Sequence, residues 1–166
     1  MIRFLDRHTE MDVVSRDWHA LNNGFIVVYG RRRIGKTRFL EEFVSDKRGF
    51  SWTATESSKT IQIRDFKNAL AEFLDDDFLK RQEIADWRSV FDYLSNNLPA
   101  QKTYIWIDEF SYLLKSDASL PSTLQQFIDK TLRSSNLFLI VSGSLFGVMR
   151  EKVLSQNSPL YGRRTR

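Results

Sequence analysis

Cysteine is absent from this chain of 166 residues, which excludes a disulfide scaffold, thiolate zinc or iron–sulfur centres and a cysteine nucleophile. The only histidines, His8 and His19, lack a partner at metal-ligand spacing and read as surface or capping residues. Three prolines and seven glycines are nowhere gathered into a linker, so nothing divides the chain into two domains. Apolar runs stop at about five residues, far short of the ~20 that a membrane-spanning helix needs. The opening stretch, Met1 to Glu10, is charged and lacks the apolar core of a signal peptide. Internal repeats and low-complexity tracts are missing as well. These absences leave one soluble, cytoplasmic domain with no membrane partner. Its 42% apolar and 28% charged content is that of an ordinary globular core.

The formal charge of +4 first suggests a nucleic-acid binder, but its location matters more than its sum. Arg31, Arg32, Arg33 and Lys36 lie in one short stretch, and Arg163, Arg164 and Arg166 close the chain. Without those seven, 18 basic residues face 21 acidic ones, a balance of −3. The positive charge is local to two segments.

Short apolar runs alternate with longer amphipathic ones. Strands are predicted at Phe25–Tyr29, Phe50–Ala54, Thr103–Ile107 and Leu137–Val141. Helices are predicted over 36–45, over 60–74, around Trp87–Leu94, over Pro121–Leu132 and over Leu145–Leu154. Near-continuous apolar strands separated by helices predict a parallel sheet covered on both faces, a three-layer α/β/α domain. Trp52, Trp87 and Trp106 fall inside strand and helix patterns and are assigned to packing rather than to base stacking.

The first strand runs into Gly30-Arg31-Arg32-Arg33-Ile34-Gly35-Lys36-Thr37 and then a helix, the strand–loop–helix setting of G-x-x-x-x-G-K-T. Glycines at both ends let successive N–H groups turn inward around an anion, and the helix start adds its positive dipole end. Lys36 is positioned for β- and γ-phosphates and the Thr37 hydroxyl for Mg²⁺, with Arg38 counted among the binding positions. Arg31, Arg32 and Arg33 could meet the triphosphate, a neighbouring subunit or nucleic-acid phosphates, or else project to solvent and pair with nearby acids.

The third strand ends in Asp108-Glu109, at the sheet edge where open α/β folds bind ligands. Asp108 is expected to hold Mg²⁺ and Glu109 to polarise the attacking water. The fourth strand ends in Ser142-Gly143-Ser144, where a serine could report nucleotide state, or Ser144 could cap the following helix. Near the end of the chain, Arg163 follows Gly162 and could neutralise charge on a phosphoryl group, or belong to a solvated basic tail.

These residues, together with Ile105-Trp106-Ile107-Asp108-Glu109-Phe110, Pro159-Leu160-Tyr161-Gly162-Arg163-Arg164-Thr165 and the opening Phe4-Leu5-Asp6-Arg7, resemble the archaeal ATPase family. That family lies among P-loop NTPases near the AAA+ and STAND groups and is related to origin-recognition-type initiators. The resemblance implies strand order 5-1-4-3-2, binding of ATP or ADP with Mg²⁺, and slow hydrolysis coupled to conformational change. It assigns Lys36, Thr37, Asp108 and Glu109 the roles above and makes Ser144 or Ser142 a nucleotide sensor. Arg163 becomes an arginine finger acting in cis or in trans, and Phe4–Arg7 lies near the adenine.

The sequence departs from the family by ending at Arg166, where the fifth strand should begin. The expectation is a truncated core, residues 1–166, without a lid, winged-helix or nuclease-like domain. In it strand 1 is a bare edge prone to self-association and ATPase activity is weakened. The principal function expected is an ATP-hydrolysing switch; the alternative is a non-hydrolysing nucleotide-binding adaptor or DNA-associated scaffold. A small-molecule phosphotransferase ranks lower, because no acceptor-binding motif is present.

Overall fold

The computed structural model describes residues 7–166. Four parallel strands, β1 (Gly24–Tyr29), β2 (Gly49–Thr53), β3 (Thr103–Asp108) and β4 (Leu137–Gly143), form one sheet in the order β1-β4-β3-β2. This is the implied order with the fifth place set aside. β3 and β4 are buried at every position, which explains their unbroken apolar runs.

Side-chain alternation along the strands splits the core in two. One face presents Ile26, Tyr104, Trp106, Phe138 and Ile140 to α1 (His8–Ala20) and α2 (Lys36–Val44). The other presents Phe25, Val27, Ile105, Ile107, Leu137, Leu139 and Val141. It is covered by α3 (Lys59–Leu74), α4 (Asp77–Arg81), α5 (Trp87–Asn96), α6 (Ser111–Ser116), α7 (Leu120–Lys130) and α8 (Phe146–Met149). The three-layer α/β/α expectation is met.

The boundaries differ in detail. α1, α4 and α6 were not foreseen. α4 starts where the Asp76 carboxylate accepts from the Leu79 N–H at 2.9 Å, an N-cap on a helix of only five residues. The helix expected over Leu145–Leu154 is a single α-turn followed by a π-helical turn, Arg150–Leu154. Trp87 and Trp106 are buried, and Trp52 is half-buried with its ring 5.4 Å from that of Phe66. His8 and His19 are exposed on α1. No helix among the described residues is long and apolar enough to cross a membrane.

β1 is the outer strand, but the expectation of a bare edge is corrected. The Thr165 N–H donates to the Phe25 carbonyl at 2.7 Å, and the Val27 N–H donates to the Arg166 carbonyl at 2.8 Å. The Phe25 N–H also donates to Thr165 Oγ1 at 3.0 Å. Residues 165–166 therefore occupy the open side of the first half of β1 and satisfy its backbone groups.

Candidate functional site

β1 delivers the chain to the carboxyl edge of the sheet, and α2 leaves from it seven residues later. Two glycines make that turn. Gly35 has φ +84°, and a Cβ on Gly30 would lie 2.5 Å from Ile34 Cδ1. Between them Arg33 also has a positive φ, +65°. The start of α2 thus opens onto a cavity of about 500 Å³ lined by Arg32, Arg33, Gly35, Lys36, Thr37, Arg38, Glu41 and Glu109. Arg31 belongs to the loop but not to the cavity lining; its side chain, like those of Arg33 and Arg38, is exposed and has no hydrogen-bond or ion-pair partner among the described residues.

Lys36 is buried and folds back over its own loop, donating from Nζ to the Gly30 and Arg31 carbonyls at 2.8 Å each. Burial pushes its ammonium below the ordinary lysine range, against the opposing pull of Glu109 and Asp108; Arg7 and Arg32 push in the same direction as burial. Arg7 reaches the loop directly, donating from Nη2 to the Ile34 carbonyl at 2.7 Å. Its companions in the opening motif, Phe4, Leu5 and Asp6, lie outside the described residues.

The end of β3 meets this loop from the neighbouring side. Thr37 Oγ1 donates to Asp108 Oδ2 at 3.1 Å across 71 positions of sequence. The other carboxylate oxygen, Oδ1, accepts from Ser142 Oγ at 2.6 Å and from the Glu109 N–H at 2.9 Å. Trp106 Nε1 donates to Ser142 Oγ at 2.8 Å, so the buried serine is tied on both sides. Glu109 itself has φ +53°, a strained left-handed conformation for a non-glycine residue. Its Oε2 accepts from Ser144 Oγ at 2.8 Å. The two serines of β4's end are therefore divided: Ser142 holds Asp108 and Ser144 holds Glu109. Ser144 does not cap α8, whose N-cap is Leu145 with no side-chain bond.

A hydroxyl and a carboxylate side by side fit a hard cation that keeps most of its ligands as water and phosphate, the preference of Mg²⁺. Among the described residues no cluster of three His, Cys, Asp or Glu side chains is found, so a cage made wholly of protein carboxylates is not what the site offers.

The structure brings Lys36, Thr37, Asp108, Glu109, Ser144 and Arg32 together. Arg163 does not line that cavity and is held instead against Asp129 of α7. Its Nε donates to Asp129 Oδ1 and Oδ2 at 3.0 and 3.1 Å, its Nη2 to Oδ2 at 2.8 Å, and its Nη1 to the Pro159 carbonyl at 2.8 Å. Arg166 pairs with Asp17 at 3.0 Å. Sequence reasoning missed Tyr112, whose hydroxyl accepts from Arg32 Nη2 at 2.8 Å; it lies on α6, a helix too short to leave a periodic signal.

The sequence matches the model of an ATPase domain found predominantly in Archaea over residues 4–166. The uncharacterized protein MJECL04 of Methanocaldococcus jannaschii is 33% identical over 162 residues, covering 98% of this chain and 34% of that protein. The Walker-type ATPase PABY2304 of Pyrococcus abyssi superposes with a TM-score of 0.66 at 20% identity, over 96% of this chain and 51% of that one. A chain of the Drosophila ORC bound to DNA superposes with a TM-score of 0.66 at 18% identity, over 86% of this chain and 38% of that one. At these identities the structural matches speak for the fold. The chain spans about a third of its curated relative and about half of the Pyrococcus chain.

Proposed function

The chain belongs to the family of ATPase domains found predominantly in Archaea, and from that membership and the loop geometry we propose that it hydrolyses ATP with Mg²⁺ and acts as a conformational switch. The observation that carries this reading is the 3.1 Å bond from Thr37 to Asp108, which joins the phosphate loop to the acidic strand end. The loop N–H groups and Lys36 take the β- and γ-phosphates once Nζ leaves the Gly30 and Arg31 carbonyls. Thr37 and Asp108 would hold Mg²⁺, which when bound supplies positive charge at the phosphate oxygens. Glu109 accepts a proton from water as that oxygen bonds to the γ-phosphorus. The bond from the γ-phosphorus to the β,γ-bridging oxygen breaks, its electron pair stays on ADP, and the proton passes from Glu109 to phosphate or solvent.

The switch follows from the two serines. Ser142 in β4 and Ser144 just beyond it flank Gly143, and each holds one of the two acids. A change at the γ-phosphate that moves Glu109 therefore reaches β4 and the turn that follows it.

The second reading is a nucleotide-binding adaptor that does not turn over, with DNA or a second copy of the chain as its partner. The observation behind it is the exposed, unpaired set Arg31, Arg33 and Arg38 around the site. Phosphate release from the wild-type chain, Glu109→Gln and Lys36→Ala, measured beside MgADP binding, separates the two. The switch predicts wild-type turnover, a Glu109→Gln chain that binds but does not release phosphate, and loss of binding in Lys36→Ala. Equal background release from wild type and Glu109→Gln, with binding intact in both, favours the adaptor. Salt-dependent DNA binding that survives Lys36→Ala would add the nucleic-acid partner.

A further inference from the structure

Phosphoryl transfer spreads negative charge over the γ-phosphoryl oxygens, and a guanidinium placed there accelerates it by about 10³–10⁵-fold. Arg163, the arginine marked for that task by resemblance, spends its fork on Asp129 and the Pro159 carbonyl. Arg32 is differently placed. It lies inside the phosphate loop and lines the same cavity as Lys36, Thr37 and Glu109. Its Nε donates to Ser144 Oγ at 3.4 Å and its Nη2 to Tyr112 Oη at 2.8 Å.

The hydrogen-bond directions are informative. Ser144 has one hydroxyl hydrogen and gives it to Glu109, so it receives the hydrogen of Arg32 Nε on a lone pair. Arg32, Ser144 and Glu109 thus form one oriented relay, with the cation at one end and the carboxylate at the other. A guanidinium carries five N–H groups, and this arrangement uses two of them. The other three remain for phosphate oxygens, in the planar fork that suits them. Tyr112 lies on α6 and Ser144 in the turn that follows β4, so the guanidinium is held from two sides.

We propose that Arg32 is a catalytic residue that supplies, in cis, the guanidinium for the γ-phosphoryl group, with Tyr112 and Ser144 as its positioning residues. This rests on the reading of the site as an ATPase. Water still attacks the γ-phosphorus, Glu109 still takes the proton, and the bridging oxygen still leaves on ADP. Arg32 forms and breaks no covalent bond; it stabilises the charge on the transferring group. Its bond to Ser144 couples arrival of the γ-phosphate to the position of Glu109.

The test uses the whole chain in two measurements. The first compares binding of MgADP with binding of the Mg²⁺ complex of β,γ-imido-ATP, which needs no turnover. The wild type is expected to prefer the triphosphate. In Arg32→Ala that preference is expected to vanish while MgADP affinity stays within about threefold. The second is single-turnover phosphate release. Arg32→Ala is expected to lose roughly a hundredfold or more and Arg32→Lys to recover less than about a tenth of that loss, because a point charge lacks the fork. Tyr112→Phe keeps its ring and loses the acceptor; it is expected to slow release by about three- to tenfold with MgADP affinity unchanged.

A wild-type chain that releases no phosphate sinks the ATPase reading and with it the catalytic role; the analogue preference then shows only whether Arg32 meets the γ-phosphate. Equal preference in wild type and Arg32→Ala overturns the proposal. So does loss of MgADP binding in Arg32→Ala, which would make Arg32 part of the loop's architecture. A turnover loss confined to Arg163→Ala, with Arg32→Ala silent, overturns it as well.

Discussion

Ser142 Oγ donates to Asp108 Oδ1 at 2.6 Å, and both residues are buried beside Trp106, whose indole N–H donates to the same serine at 2.8 Å. The last strand of the sheet thereby fixes the rotation of the carboxylate assigned to Mg²⁺, with an indole fixing the serine in turn. Two separable consequences follow from that chain, one for metal binding and one for stability.

Ser142→Ala removes the clamp on Asp108 and leaves the Trp106 N–H unpaired in the core. The stability cost is expected to be about 1–3 kcal/mol, and the Mg²⁺ concentration at half-maximal nucleotide binding is expected to rise several-fold. Adding Trp106→Phe removes the orphaned donor and should return part of the stability but none of the metal response. Urea unfolding and a Mg²⁺ titration read the two effects apart; an unchanged titration would show that Ser142 does not position Asp108.

Lys36 gives nucleotide binding an alkaline limit. Burial lowers its pKa from the ordinary 10.5, with Glu109 and Asp108 opposing and Arg7 and Arg32 assisting. Phosphate oxygens favour the ammonium form, so above the lowered pKa binding must take up a proton and affinity falls as pH rises. The decline should begin before an ordinary lysine would titrate. Lys36→Arg, which stays charged, should bind MgADP with a flat profile over the same range; parallel profiles in the two chains would assign the decline to another group.

The contact of Arg163 with Asp129 should be visible in acid. The hydrogen bonds from Arg163 are the largest influence on the Asp129 carboxyl and hold it below the ordinary 3.8; partial burial opposes them, and the charges of Arg163 and Arg133 assist. A depressed carboxylate contributes stability above its unfolded-state pKa and loses it as pH falls through the lower folded value. Both side chains are partly exposed, so the contribution is expected at about 0.2–1 kcal/mol. Asp129→Asn should lower the urea midpoint near neutrality and make its acid limb shallower. A midpoint that does not move would mean that the pair adds no net stability.

Gly143 sets the spacing between the two serines and the helices behind them. A Cβ there would collide with Ser111 Oγ and lie 2.8 Å from Met149 Sδ. Gly143→Ala is expected to cost about 1–3 kcal/mol and to displace Ser144 from Glu109, slowing phosphate release more than it weakens MgADP binding. Ser111→Ala in the same chain removes one of the colliding atoms and should restore part of both. Full activity in Gly143→Ala would show that the Ser144–Glu109 contact tolerates the shift.

The parts of the fold legible in the sequence are those with one dominant local signal. β3 and β4 read as strands because both of their faces are covered, and the phosphate loop reads from its spacing because the turn requires Gly30 and Gly35. α1 escaped because its buried stripe is thin, Val14 and Trp18 amid polar residues; Trp18 gains its place from Phe138, 4.7 Å away between ring centroids. At the candidate site, the sequence names residues that the structure brings together, but not the partners each one takes. Nothing local says that Glu109 adopts a positive φ, that Ser144 faces it, or that Arg163 is held by Asp129, 34 positions earlier. Those relationships arise only once the sheet edge gathers distant segments. The tail's positive charge was legible as a count, yet Arg163 and Arg166 are both paired with acids of the body, so the count overstated the free charge.

The pairing of β1 bears on the order in which the protein can be made. β1 is flanked by residues 137–143 on one side and by 165–166 on the other, so neither neighbour is close to it in sequence. While the chain emerges from the ribosome, the strand that carries the phosphate loop has to wait for more than a hundred residues before its first flank arrives, and longer for its second. β2 and β3 can pair before then. The phosphate loop is therefore synthesised well before either flank of its strand and is among the last parts to be fixed in place, which makes nucleotide capture by a nascent chain a report that its sheet is closed on both sides of β1.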